Sequence, residues 1–124
     1  MPEHEVYELY QRGSALLERG DFAAAAVPLT RARALEPDKA SIREALGRAL
    51  FHAQRYEDAA GEFRAIAEQS PTNDYALFCL GRSMQQLGRH REAQHPLALA
   101  CSLRPERRDY AVYRDRARRA ALAG

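Results

Sequence analysis

The side chains that could do chemistry are few and scattered. His4, His52, His90 and His95 show no metal-ligand spacing. His90 and His95 are five apart, which does not put them on one helical face. Cys79 and Cys101 form neither a disulfide framework nor a paired metal motif. No spacing identifies a base beside Cys79, so a buried or half-buried thiol is expected there rather than a nucleophile. There is no Gly-rich phosphate loop and no nucleophile motif. The chain therefore reads as a non-enzyme, with no catalytic residue, cofactor or metal. His52 alone is placed to tune a ligand with pH.

What remains is arginine. Of the 19 basic residues all but Lys39 are arginine, in a chain of net charge +2. With 24 alanines, this is also what a high-GC coding bias would produce. Every arginine thus has a compositional explanation beside any functional one. The charge is uneven. Residues 104–119 carry seven arginines against Glu106, Asp109 and Asp115, whereas the first ten carry Glu3, Glu5 and Glu8 and no base. Such polarity biases the choice of partner. No run approaches the roughly 18 apolar residues that span a bilayer. The acidic, polar start of the chain is unlike a signal peptide. A reduced cytoplasmic protein without membrane contact is expected.

These side chains need a scaffold, and its period is explicit. Pro37, Pro71 and Pro105 are spaced at 34, as are Gly13, Gly47 and Gly81, and Ala25, Ala59 and Ala93. Leu29, Phe63 and Leu97 follow the alanines by four. Several residue types sharing one period establish a repeat. Each repeat reads as two helices. The first carries Leu9, Gly13 and Leu16, then Leu46, Gly47 and Leu50, then Leu77, Leu80, Gly81 and Met84, at amphipathic 3–4 spacing. A break follows at Gly20-Asp21, Gln54-Arg55 and Gly88-Arg89. The second helix carries the alanine and large apolar positions, and the repeat proline ends it by pushing its predecessor out of the α region. A helix-interior glycine costs about 1 kcal/mol relative to alanine. Three in register therefore imply close approach of a partner helix.

Glycine at the eighth place, alanine at the twentieth, a large apolar residue at the twenty-fourth and proline at the thirty-second resemble the tetratricopeptide repeat. The resemblance covers residues 6–107 without insertion and implies repeats at 6–39, 40–73 and 74–107. It implies an all-α, right-handed α-solenoid of seven helices forming one domain over 1–124, of the small stand-alone bacterial type. Departures are Leu9, Arg43 and Leu77 at the fourth place, Leu16, Leu50 and Met84 at the eleventh, and Arg12 for a leucine. They read as loosened core positions. Residues 108–122 begin a fourth repeat without completing it. Tyr110, Tyr113, Ala117 and Ala121 form an apolar stripe among arginines, as a C-terminal capping helix with a polar outer face requires.

At about 100° per residue, places two, five, nine and twelve of each first helix form a stripe roughly 130° from the packing stripe. In proteins this chain resembles, that stripe lines the concave groove holding peptides. Here it carries Tyr7, Tyr10, Ser14 and Leu17; Ser41, Glu44, Arg48 and Phe51, with His52 beside them; and Tyr75, Phe78, Arg82 and Gln85. Five of the ten aromatics fall on it, and binding surfaces are enriched in Tyr, Phe and Arg. Arg48 and Arg82 share one place, with Arg116 at the matching point of the closing helix. Such a ladder suits capture of a carboxylate or phosphate. The alternative is that these arginines are solvated or paired with neighbours such as Glu44.

Relatives that clamp acidic chaperone tails use Lys and Asn at places five and nine of the first repeat. They use Asn at place six of the second, then Lys and Arg at places two and six of the third. Those places here hold Tyr10, Ser14, Ala45, Tyr75 and Cys79, and none matches. Pro28 and Pro96, inside second helices, each remove a backbone donor and should bend their helix.

The expected function is a protein-protein interaction adaptor or scaffold. Its groove would bind a peptide segment or partner helix with an acidic group or free C-terminus. The alternatives are a self-assembling homodimeric module that packs through Val6, Tyr7 and Tyr10, and a small chaperone for a secreted or assembling partner. Modest overall charge argues against nucleic acid.

Overall fold

The structure, a computed structural model, describes residues 2–124. Its elements are α1 (Pro2–Glu18), α2 (Phe22–Leu35), α3 (Ala40–His52), α4 (Tyr56–Gln69), α5 (Asp74–Gln86), α6 (His90–Leu103) and α7 (Arg108–Ala123). No strand occurs among the described residues. The all-α class is as expected, with two helices to each repeat and α7 closing the series. By its contacts the chain divides into two compact bodies, Met1–Glu62 and Phe63–Gly124, and the division falls within α4. No helix among the described residues is long and apolar enough to cross a membrane.

The turn inside each repeat is the same Schellman ending. Gly20 (φ 81°), Gln54 (φ 65°) and Gly88 (φ 77°) take the left-handed conformation. Their N–H groups donate to Leu17 O, Phe51 O and Gln85 O at 3.1, 3.0 and 3.0 Å. The next N–H groups, of Asp21, Arg55 and Arg89, reach back to Leu16 O, Leu50 O and Met84 O at 2.9, 2.8 and 2.9 Å. Carbonyls left over at the helix end are thereby satisfied. Each of the following first helices starts after one shared turn, in which Lys39, Asn73 and Arg107 donate to the carbonyls of Glu36, Ser70 and Arg104. Of the three, Asn73 also caps its helix, its side chain accepting from Ala76 N at 3.0 Å.

In the amino-terminal body Val6, Leu9, Ala32 and Ile42 form a buried cluster with Tyr10 packed against it. Gly13 faces Leu29 so closely that an added Cβ would sit 2.7 Å from Leu29 Cδ2. Gly81 repeats this against Leu97 Cδ2 at 2.6 Å in the carboxy-terminal body. Overpacking costs of about 1–3 kcal/mol outweigh the roughly 1 kcal/mol that alanine gains in helix propensity. In the carboxy-terminal body the core is Leu77, Ala100, Cys101 and Tyr110, with Ala67, Phe78 and Ala111 against it. The phenol of Tyr110 donates to Asp74 Oδ2 at 2.7 Å. Burial pushes its pKa well up, and the hydrogen bond to Asp74 adds to the shift.

Two expectations change. Leu17 is buried and Leu16 only half-buried, so Leu17 belongs to the core and not to an open stripe. An apolar face wider than three positions draws in both neighbours. Arg43 is not a loosened core residue either. Its Nη1 donates to Glu62 Oε1 at 2.9 Å and its Nε to Pro37 O at 2.7 Å. Arg33 Nη1 holds the other oxygen, Glu62 Oε2. Glu62, buried to 6% exposure, occupies the place that Pro28 and Pro96 take in the other repeats. Both prolines are buried within helices that run through them.

Candidate functional site

Each body contributes a distinct part of the first-helix stripe. In the amino-terminal body Tyr7 is 61% exposed and Tyr10 half-buried. They line a hollow of about 560 Å³ with Glu3, Val6, Gln11, Glu36, Lys39, Ser41 and Ile42. Its floor is the cluster of Val6 and Ile42; its rim is charged. Ser14 and Glu44 are half-buried. Arg48 is exposed and makes no ion pair, with Glu44 or otherwise, among the described residues.

Phe51 and His52 have a packing role that the sequence did not reveal. His52 stacks on Phe22 at 4.7 Å between ring centres, and Phe51 meets His52 edge-on at 5.7 Å and Tyr56 at 5.2 Å. This aromatic cluster ties the end of α3 to the first residues of α2 and α4.

In the carboxy-terminal body the stripe on α5 joins α7. Phe78 stacks on Tyr110 at 4.5 Å and meets Tyr113 at 5.6 Å. The Arg82 guanidinium lies over the Tyr113 ring, 3.9 Å from its centre, and that of Arg116 over the same ring at 4.9 Å. Gln85 fastens the group, accepting from Arg82 Nη1 at 2.9 Å and donating to the Tyr113 carbonyl at 2.8 Å. Tyr75 meets Phe63 edge-on at 6.4 Å. Sequence reasoning linked Arg82 with Arg116 but assigned Tyr113 to packing alone, so it missed the ring that joins them. Lys39, Gln11 and Ile42 of the hollow were also missed.

Cys79 is half-buried, and its carbonyl accepts from Ser83 Oγ at 2.8 Å. No group of three or more His, Cys, Asp or Glu among the described residues could hold a metal ion. The α5–α7 surface offers guanidinium groups and aromatic faces. The tetratricopeptide repeat family model matches residues 10–74. The chain belongs to the tetratricopeptide repeat family.

Solved tetratricopeptide structures resemble it over nearly the whole chain. MamA of MSR-1 is 27% identical at a TM-score of 0.83, over 90% of this chain and 64% of that one. The chain thus spans less than two thirds of the MamA chain. The first TPR of Spaghetti (RPAP3), bound to the HSP90 peptide SRMEEVD, is 16% identical at a TM-score of 0.87, over 98% and 95%. The second TPR domain of human RPAP3, in complex with the HSP70 peptide SGPTIEEVD, is 19% identical at 0.87, over 95% and 98%. At such identities the two RPAP3 domains share the fold alone. No curated protein sequence matches the chain.

Proposed function

We propose that this tetratricopeptide chain is a non-catalytic protein-interaction module, an adaptor or scaffold. Its first-helix faces hold a peptide segment or partner helix bearing an acidic group or a free C-terminus. The observation that carries this reading is the pair of guanidiniums over Tyr113. Stacking on the ring fixes the direction of each guanidinium before a ligand arrives, and Arg82 Nη1 is itself held by Gln85. The amino-terminal body by itself presents Arg48 as a solvent-facing cation and a hollow beside Tyr7 and Tyr10 with room for an apolar side chain. The RPAP3 domains, of the same fold, hold acidic peptides. The clamp positions carried over from such relatives are Tyr10, Ser14, Ala45, Tyr75 and Cys79 here, so this chain's ligand is held by other residues.

The test is affinity capture with the wild-type protein beside an Arg48→Glu/Arg82→Glu variant. Prey bound by the wild type and lost from the variant is the expected result. Identical prey on both would overturn the reading.

A further inference from the structure

Beyond peptide binding, we propose that a second copy of the chain is itself a partner, docked head to tail. The exposed face of α7 in one copy packs on the exposed face of α1 in the next. Charge supports this pairing of surfaces. Glu3, Glu5, Glu8 and Glu18 against Arg12 leave α1 at −3. Arg108, Arg114, Arg116, Arg118 and Arg119 against Asp109 and Asp115 leave α7 at +3. Part of that charge is already used. Glu5 pairs with Arg31, Glu8 with His4 and Arg114 with Asp115. Glu3 and Glu18 on α1, and Arg108, Arg118 and Arg119 on α7, are exposed and have no ion pair among the described residues.

Apolar surface lies beside these charges on both helices. Tyr7 is 61% exposed on α1, and Val112 and Leu122 are 46% and 84% exposed on α7. Val112 and Arg119 share one stripe of α7 at seven-residue spacing, with Leu122 flanking it. The hollow of about 560 Å³ beside Tyr7 has room for an aliphatic side chain, with Tyr10 and Ile42 among its walls. Leu122 or Val112 seats there while the α7 arginines meet the glutamates.

The same charges decide which helices pair. Packing α1 on α1 or α7 on α7 brings like charges together, whereas α7 on α1 brings opposite ones. In the head-to-tail arrangement proposed here the contact is heterologous, and each docking leaves one α1 and one α7 open. Exposed charges interact over about 10 Å at 0.1 M salt and less above it, so association weakens as salt rises.

Sedimentation velocity on the full chain tests this with two variants, in which every substituted side chain is exposed. Tyr7→Glu closes the α1 surface; Arg119→Glu/Leu122→Glu closes the α7 surface. The wild type is expected to associate with concentration at low salt and to dissociate at high salt. Each variant alone is expected to associate at least about tenfold more weakly, a change of about 1.4 kcal/mol. Mixed one to one, the variants restore each other, because the α7 surface of the first meets the α1 surface of the second. The mixture stops at a dimer. A wild type that stays monomeric at low salt overturns the proposal. So does association that survives Tyr7→Glu, or a mixture in which the variants fail to combine, which marks a self-complementary contact instead. Loss of peptide capture with self-association retained would strike only the peptide-binding reading.

Discussion

The Arg82 guanidinium carbon lies 3.9 Å from the centre of the Tyr113 ring, so α5 and α7 meet through a cation on an aromatic face. Arg116 uses the same ring. Such contacts contribute about 0.5–1 kcal/mol at exposed sites. Tyr113→Ala should lower stability by about 1 kcal/mol and peptide affinity by about tenfold, since both guanidiniums lose their fixed direction. Tyr113→Phe keeps the ring and should retain both properties. Thermal melts and peptide titrations of the two variants check this. Equal losses in both would point to the hydroxyl and against the stacked cations.

The Arg33–Glu62–Arg43 group is a buried carboxylate between two partly exposed guanidiniums. Removing one partner of a fully buried pair costs about 3–5 kcal/mol, and here solvent reaches both arginines. Arg43→Ala is expected to destabilise by about 2 kcal/mol. The loss should shrink in an Arg43→Ala/Glu62→Ala double variant, because no unpartnered carboxylate is left. A double-mutant cycle by urea unfolding measures the coupling. Strict additivity would show that the contact contributes nothing.

Gln54 holds φ 65° where the other two repeats have Gly20 and Gly88. A residue with a Cβ is strained there by about 1 kcal/mol or more, against about 0.5–1 kcal/mol for the extra unfolded-state freedom of glycine. Gln54→Gly should therefore stabilise by a few tenths to about 1 kcal/mol, and Gly88→Ala should destabilise by about 1 kcal/mol. Melting temperatures of the two variants should move in opposite directions.

Tyr110 gives the chain an alkaline limit. Its pKa is raised in the folded state, by burial and then by Asp74, above the ordinary value near 10. Below that value both states carry the phenolic proton. Above it the unfolded chain loses the proton while the native chain keeps it, so stability falls as pH rises. Wild type should lose stability progressively above about pH 10. Tyr110→Phe should start lower, without the hydrogen bond to Asp74, and decline less steeply. Unfolding curves across pH 8–11 compare the slopes, and parallel declines would refute the assignment.

The helices were legible in the chain because their causes are local. The Gly81–Leu97 approach and the Pro71 and Pro105 stops recur at one spacing, and each acts within a repeat or its neighbour. The register also placed Arg82 and Arg116 at equivalent points. Tyr113 was invisible as their partner because it contacts Arg82 from another helix, 31 positions on in the chain. Arg43 and Glu62 could be read as departures at the fourth and twenty-third places of the same repeat. Their joint occurrence was a signal that two lost apolar contacts had become one ion pair, but nothing in the spacing showed that Arg33 shares it. Phe51 fell on the open stripe by angle alone, with His52 beside it. Phe22 opens α2 and Tyr56 opens α4, so their contacts with His52 and Phe51 at the end of α3 do not show on a wheel of α3 alone.

Peptide binding through the α5–α7 arginines is tested most directly by fluorescence anisotropy. The probe is a fluorescein-labelled pool of short peptides rich in Asp and Glu with free C-termini, titrated with wild type, Arg82→Lys and Arg82→Glu. Wild type should bind, Arg82→Lys should weaken binding because lysine cannot lie flat on Tyr113, and Arg82→Glu should weaken it by tenfold or more, about 1.4 kcal/mol. An affinity that is the same in wild type and Arg82→Glu would contradict the proposed site.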